Sequence, residues 1–313
     1  MTSIRQEHSF VPHQFMDFSD VRALDGAVTN IVVTSKTGDQ EWIAASTKKI
    51  GDWRSLMRTT YMRWMLSCHA LERAAAECDS FSLDDRFPIR TLRVGPAGLE
   101  EAVIGEWTGG EAAANQRKTA SLLPAYGVVD LIGAWEETTF GFYRVFLDAH
   151  PQILMKDNYK HLRKIYWDRN KDSEAATSWD EAWRERVDTW QRKKVYEGLG
   201  NVFRAYAAQA SLKRPSSFKH TDVEDWAIAI EGVAELRNLV VHGAPQVTEK
   251  LASLTGRTAS MGFDFVLGER LVVTTRHLQL VECFFNQLLT AINMSLVEKI
   301  WGPVSTLGVR PRR

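Results

Sequence analysis

Between Leu122 and Pro151 the apolar side chains Val128, Leu131, Trp135, Phe142 and Val145 recur at three-, four- and seven-residue steps. That spacing closes on one face of a helix and would scatter over both faces of a strand, so the segment reads as a helix buried along one side. It stops before Pro151, which cannot continue it. The pattern returns from Glu181 to Leu212, where Trp183, Val187, Trp190, Val195, Leu199, Val202 and Phe203 face inward. It returns again from Thr275 to about Lys299, through Leu278, Val281, Phe285, Leu288, Leu289 and Ile292. Helices of this length with one apolar stripe each bury those stripes against one another, which predicts a mainly α helical bundle.

A further helix carries the chemistry. Thr221 with Glu224 reads as a capping box that opens it. Val223, Trp226, Ile230 and Val233 then form an inward stripe, and the next place on that stripe is Arg237. A charge on a core stripe is costly unless it is paired or aimed at a ligand, and an arginine cannot lose its proton to escape the cost. Gly243 and Pro245 end the helix, as a left-handed cap followed by a residue that cannot extend it. Five residues separate Arg237 from His242, about 140° around an ideal helix, so an unwound end is expected to turn both into one cleft.

The run Arg237-Asn238-Leu239-Val240-Val241-His242-Gly243 resembles the motif of the HEPN domains, all-α modules with Arg, a polar residue, a short spacer and His at the end of their third helix. The resemblance covers roughly Leu122 to Trp301: a long first helix with a Glu within it, a second helix, the motif helix, a short insertion and a closing helix. The insertion, Phe263 to Val273, reads as a small β-hairpin turning near Gly268. The resemblance implies a metal-independent endoribonuclease of toxin or antiviral defence systems, working as a homodimer in which two Arg-His motifs line one groove. It implies Arg237, Asn238 and His242 as catalytic residues, Glu136 or Glu137 as a helper acid, RNA as partner and no cofactor. A solvated helix face is the competing reading of the two glutamates. For the motif, the competing readings are a HEPN-like dimerisation module that uses Arg237 and His242 only as helix-end residues, and nucleotide or RNA binding without turnover. An antitoxin or sensor subunit encoded nearby is the expected further partner.

Before Leu122 the sequence changes character. Asn30 to Ser35, a turn at Lys36 to Asp39, and Glu41 to Ala45 read as a hairpin; Trp53 to Cys78 reads as a helix and Phe87 to Val94 as a strand. Gly95-Pro96 and Gly109-Gly110 punctuate the rest. The expected organisation is an α+β region over 1–115 for sensing, partner binding or dimerisation, a helical domain over 116–302, and a basic tail over 303–313 with Arg310, Arg312 and Arg313.

Thirty-nine basic and thirty-nine acidic residues cancel, so there is no global field of the kind that coats nucleic acid, and any RNA contact must be local. Three cysteines, Cys68, Cys78 and Cys283, suit reduced thiols and no disulfide frame. Cys68-His69 with Cys78 matches no zinc spacing. No signal peptide and no uncharged apolar run of membrane-spanning length is read, so a cytoplasmic protein with no membrane partner is expected. His69, His150, His161, His220 and His277 read as surface or capping residues, and Glu231 and Glu235, both off the face of Arg237, as residues that pair with a neighbour instead. The eleven tryptophans are assigned to core or dimer packing.

Overall fold

The structure is a computed structural model that describes residues 30–34, 38–82, 84–156, 159–257 and 262–303. The tail residues Arg310, Arg312 and Arg313 lie outside the described residues, as do Ser35 to Thr37 of the expected N-terminal hairpin. What is described is mainly α, 70% helical, with one small antiparallel hairpin. In chain order the elements are α1 (Glu41–Cys78), β1 (Arg86–Gly95), β2 (Gly98–Thr108), α2 (Gly109–Ala149), α3 (Lys160–Asp168), α4 (Ser173–Lys194), α5 (Leu199–Gln209), α6 (Val223–Val241), α7 (Glu249–Arg257) and α8 (Thr275–Trp301).

The two longest helices, α1 and α2, run antiparallel along a close seam. Gly141 lies under the Trp53 indole and Gly127 against Trp64, while Gly109 packs on the Cys78 carbonyl. A Cβ at Gly141 would stand 2.9 Å from Trp53 Cζ2, so the glycine is what lets the ring lie on the helix. Helix α8 lies across both. Leu278 touches Gly127, and Phe285 stacks on Trp135 with ring centroids 4.7 Å apart. The Arg54 guanidinium donates to Asn286 Oδ1 and, at 3.1 Å, to Thr290 Oγ1. Burial lowers the pKa of Arg54 to about 10, with Arg58 adding to the fall and Glu282 opposing it. These contacts set α8 parallel to α2 and antiparallel to α1. By length and composition α8 could cross a membrane, but most of its apolar window is buried in this bundle, which accounts for that composition equally well.

Beyond the level of Trp64 and Gly127, α1 and α2 continue together for about 20 Å as a two-helix arm. Its seam is made of small residues: Cys68 and Ala75 on α1, Ala113 and Ala120 on α2, each pair seven residues apart, the repeat of helices that wind on each other. The hairpin β1–β2 caps the arm, with Phe87 and Trp107 packed on Ala75, Cys78, Ala112 and Ala113.

Several expectations change. Glu41 to Ala45 is the first turn of α1 and not a strand. The boundary expected at 115–116 falls inside α2, which opens with a Thr108–Glu111 capping box, and Trp42, Ile50, Trp53 and Met57 share one core with the remaining helices. The helix expected over Glu181 to Leu212 breaks at Gly198, whose φ of +84° no helix accommodates, and Val195 is exposed. Phe263 to Val273 turns near Gly268 as expected, yet its two arms do not pair. Instead Val247 N–H donates to Glu269 O at 2.9 Å and Leu271 N–H to Pro245 O at 3.0 Å. The small hairpin of the fold is Arg86 to Thr108, of which the sequence reading found only the first strand. Trp135 and Trp226 lie in the core, one of the two places that the sequence left open for the tryptophans.

Candidate functional site at the end of helix α6

Helix α6 begins one residue later than the capping box proposed on Thr221 and Glu224. Asp222 is the N-cap and accepts from the backbone of Glu224 and Asp225, while the Asp225 carboxylate accepts the Asp222 N–H in return. Thr221 Oγ1 instead accepts the indole N–H of Trp226 at 3.0 Å. Glu224 and Glu231 both receive Arg204, which holds the Glu224 carboxyl below its ordinary range. Glu235 pairs with Lys250 at 2.6 Å. The three glutamates of α6 are thus taken up by cations, so Glu231 and Glu235 pair with neighbours as the sequence suggested.

Arg237 is exposed, contrary to the expectation of a charge on the core stripe. A period of 3.6 carries the stripe from Val233 to a point between residues 236 and 237; Leu236 takes the core place and is fully buried, and Arg237, 100° further round, meets water. The guanidinium donates from Nη1 to Asn238 Oδ1 at 3.1 Å. Asn238 is half-buried, and its carbonyl accepts the His242 N–H at 3.0 Å. Asn238 therefore touches both residues, its side chain accepting from Arg237 and its backbone carbonyl accepting from the His242 N–H.

The helix end follows the glycine signal. His242 is the C-cap, exposed, with φ −87° and ψ 2°. Gly243 takes φ +65°, its N–H donates to Val240 O at 3.2 Å, and Ala244 N–H reaches back to Leu239 O at 2.9 Å, the paired bonds of a Schellman cap. The backbone stays near-helical through His242, so the helix does not unwind before it, and the Arg237 and His242 side chains leave the axis in directions about 140° apart. Replacing Gly243 by alanine is expected to cost about 1 kcal/mol, because the space around it is open and only the left-handed backbone is penalised. Urea denaturation measures this, and a neutral substitution would mean that the cap contributes nothing.

Glu136 and Glu137 are half-buried near the middle of α2, and no described hydrogen bond or ion pair joins either to Arg237 or His242. The histidines set aside as capping or surface residues include two caps. His150 ends α2 with Nδ1 2.9 Å from Phe146 O, and His277 closes the capping box of α8 with Thr274 while meeting Asp264 at 3.2 Å. Among the described residues no cluster of three or more His, Cys, Asp or Glu side chains could hold a metal ion. Sequence reasoning missed the exposed apolar residues Leu92, Val94, Leu99 and Val103 of the β1–β2 hairpin, for which their alternation was the available signal. In comparisons with known proteins, the chain matches no family model, no curated protein and no solved structure.

Proposed function

We propose that the chain is a metal-independent endoribonuclease of the HEPN type, acting in a toxin or antiviral defence system in the cytoplasm, with Arg237, Asn238 and His242 as its reacting groups. The observation that carries this reading is the end of α6, where the exposed Arg237 guanidinium donates to the Asn238 side chain and the exposed His242, whose backbone N–H donates to the Asn238 carbonyl, stands at the helix cap. Among the described residues neither side chain is held in an ion pair, so both are available to a phosphodiester.

RNA brings its own nucleophile. As the 2′-oxygen bonds to phosphorus, an imidazole near neutrality takes its proton, the bond from phosphorus to the 5′-oxygen breaks, and a second imidazole returns a proton to that leaving oxygen. Arg237 donates to the non-bridging oxygens as charge gathers on them, and Asn238 keeps the guanidinium aimed. One chain supplies one such His, so the active species in this reading is a homodimer whose two motifs face one groove. A subunit encoded nearby, an antitoxin or a sensor, would hold that groove in check.

Purified protein mixed with RNA in excess EDTA is expected to cleave it and to leave 2′,3′-cyclic phosphate and 5′-hydroxyl ends, read by mass spectrometry, while DNA stays intact for want of the 2′-hydroxyl. A strict requirement for added magnesium or manganese, or 5′-phosphate ends, would overturn the reading.

A further inference from the structure

The hairpin at the tip of the arm is packed only near its base, and one of its two faces is apolar. Phe87 and Trp107 turn inward, but on the opposite face Leu92, Val94, Leu99 and Val103 are 62%, 87%, 71% and 45% exposed. The register sets these four together, pairing Val94 with Leu99, Leu92 with Glu101 and Arg90 with Val103. With Ile104 beside them, 54% exposed, they present roughly 500 Å² of surface, at the upper end of what a monomer leaves open and more than half of the roughly 800 Å² each partner gives to a stable interface. A two-stranded hairpin in water is also marginal by itself, so a face of this kind is expected to be covered.

Charge identifies what covers it. The basic residues of the hairpin, Arg86, Arg90 and Arg93, all lie on β1, and its acidic residues, Glu100, Glu101 and Glu106, all lie on β2. By the register Arg93 and Glu100 belong to the other face, and the two of each sign on the apolar face, Arg86 and Arg90 on β1 against Glu101 and Glu106 on β2, give no net attraction to an anionic polymer or a lipid surface. They fit a surface carrying the same stripes in reverse order, which a second copy provides. Joining like edges would align β1 with β1 or β2 with β2 and set like charges side by side. Turning one face onto the other about an axis along the hairpin sets β1 of each copy over β2 of its partner, so that Arg90 lies over Val103 of the other chain, one diagonal step from its Glu101, the step the same two side chains span within one chain.

We infer that the protein dimerises through this face, with the two arms side by side and pointing the same way. The arrangement brings the two bundles to the same end of the dimer. It is independent of the reading of Arg237 and His242, and its test uses no RNA.

Sedimentation equilibrium of the full chain is the measurement. The unaltered protein is expected to be a dimer at micromolar concentration, and the L92D/L99D double variant to dissociate at least about a hundredfold more readily, the scale of losing two central contacts. Arg90→Glu alone and Glu101→Arg alone each put like charges across the interface and are expected to yield monomers. Mixing those two variants restores both cross-chain pairs and should return a one-to-one dimer, although neither chain has regained its own Arg90–Glu101 bond, 3.1 Å in the unaltered chain. Circular dichroism confirms that each variant is folded. A monomeric unaltered protein at about 100 µM, dimers that ignore the substitutions, or a mixture that stays monomeric would each overturn the proposal.

Discussion

His242→Ala is expected to lower RNA cleavage by at least about a hundredfold, the range lost when a positioned acid or base is removed. Arg237→Ala is expected to lose a similar amount, through the charge left unstabilised on the transition state. Arg237→Lys should recover only part of it, since an ammonium keeps the charge but not the two-pronged geometry. The fold should not notice either alanine. Both side chains are exposed, and His242 takes part in the helix cap through its backbone N–H, which alanine retains. Circular dichroism and the unfolding midpoint establish that independently of activity. A folded variant that cleaves like the unaltered protein would remove its residue from the catalytic role.

Trp135→Ala should be the most damaging single change to stability among those considered. The indole is fully buried midway along α2 and stacks on Phe285 of α8 with an interplanar angle of 10°. Its removal takes away the contact that joins two core helices and leaves a cavity that their backbones cannot close. The cost expected is about 3–5 kcal/mol, a large share of the roughly 5–15 kcal/mol that holds a typical domain folded. Trp135→Phe provides the contrast. Among the described residues the indole N–H of Trp135 has no hydrogen-bond partner, so phenylalanine keeps most of the stacking and removes an unsatisfied donor. Urea unfolding should order the variants with phenylalanine far closer to tryptophan than alanine is; equal losses would show that the stack is not what matters.

Features set by neighbours in sequence were legible. The closing helix from Thr275, the stop of α2 before Pro151, the run of α1 to Cys78 and the left-handed Gly243 all follow from periodicity or from a single backbone requirement. Features set by distant partners were not. Gly109-Gly110 looked like a boundary because glycine weakens a helix, yet it is the first turn of α2, which starts there beside the end of α1, where a residue without a side chain allows the close approach to Cys78. The β-branched stretch around Gly268 looked like a hairpin, but its hydrogen-bonding partners are Pro245 to Val247, a pairing that local pattern cannot announce. Arg237 was misplaced by a fraction of a turn, the difference between a period of 3.6 and a count of whole residues. The candidate residues Arg237, Asn238 and His242 were visible as a motif; their exposure, and the attachment of Asn238 to Arg237, were not.

The cap on α6 and the segment just after it are fastened by different kinds of bond. The cap closes through residues at most five positions apart, Ala244 to Leu239, whereas Pro245 to Val247 waits for Glu269 and Leu271. The first closure needs almost no loop; the second must bring together ends separated by roughly twenty residues, at a corresponding entropic cost. On a chain emerging from the ribosome, Arg237, Asn238 and His242 therefore reach their local geometry while the segment that surrounds them is still being made. The motif is an early object in the life of the molecule, and any groove that it serves is a late one.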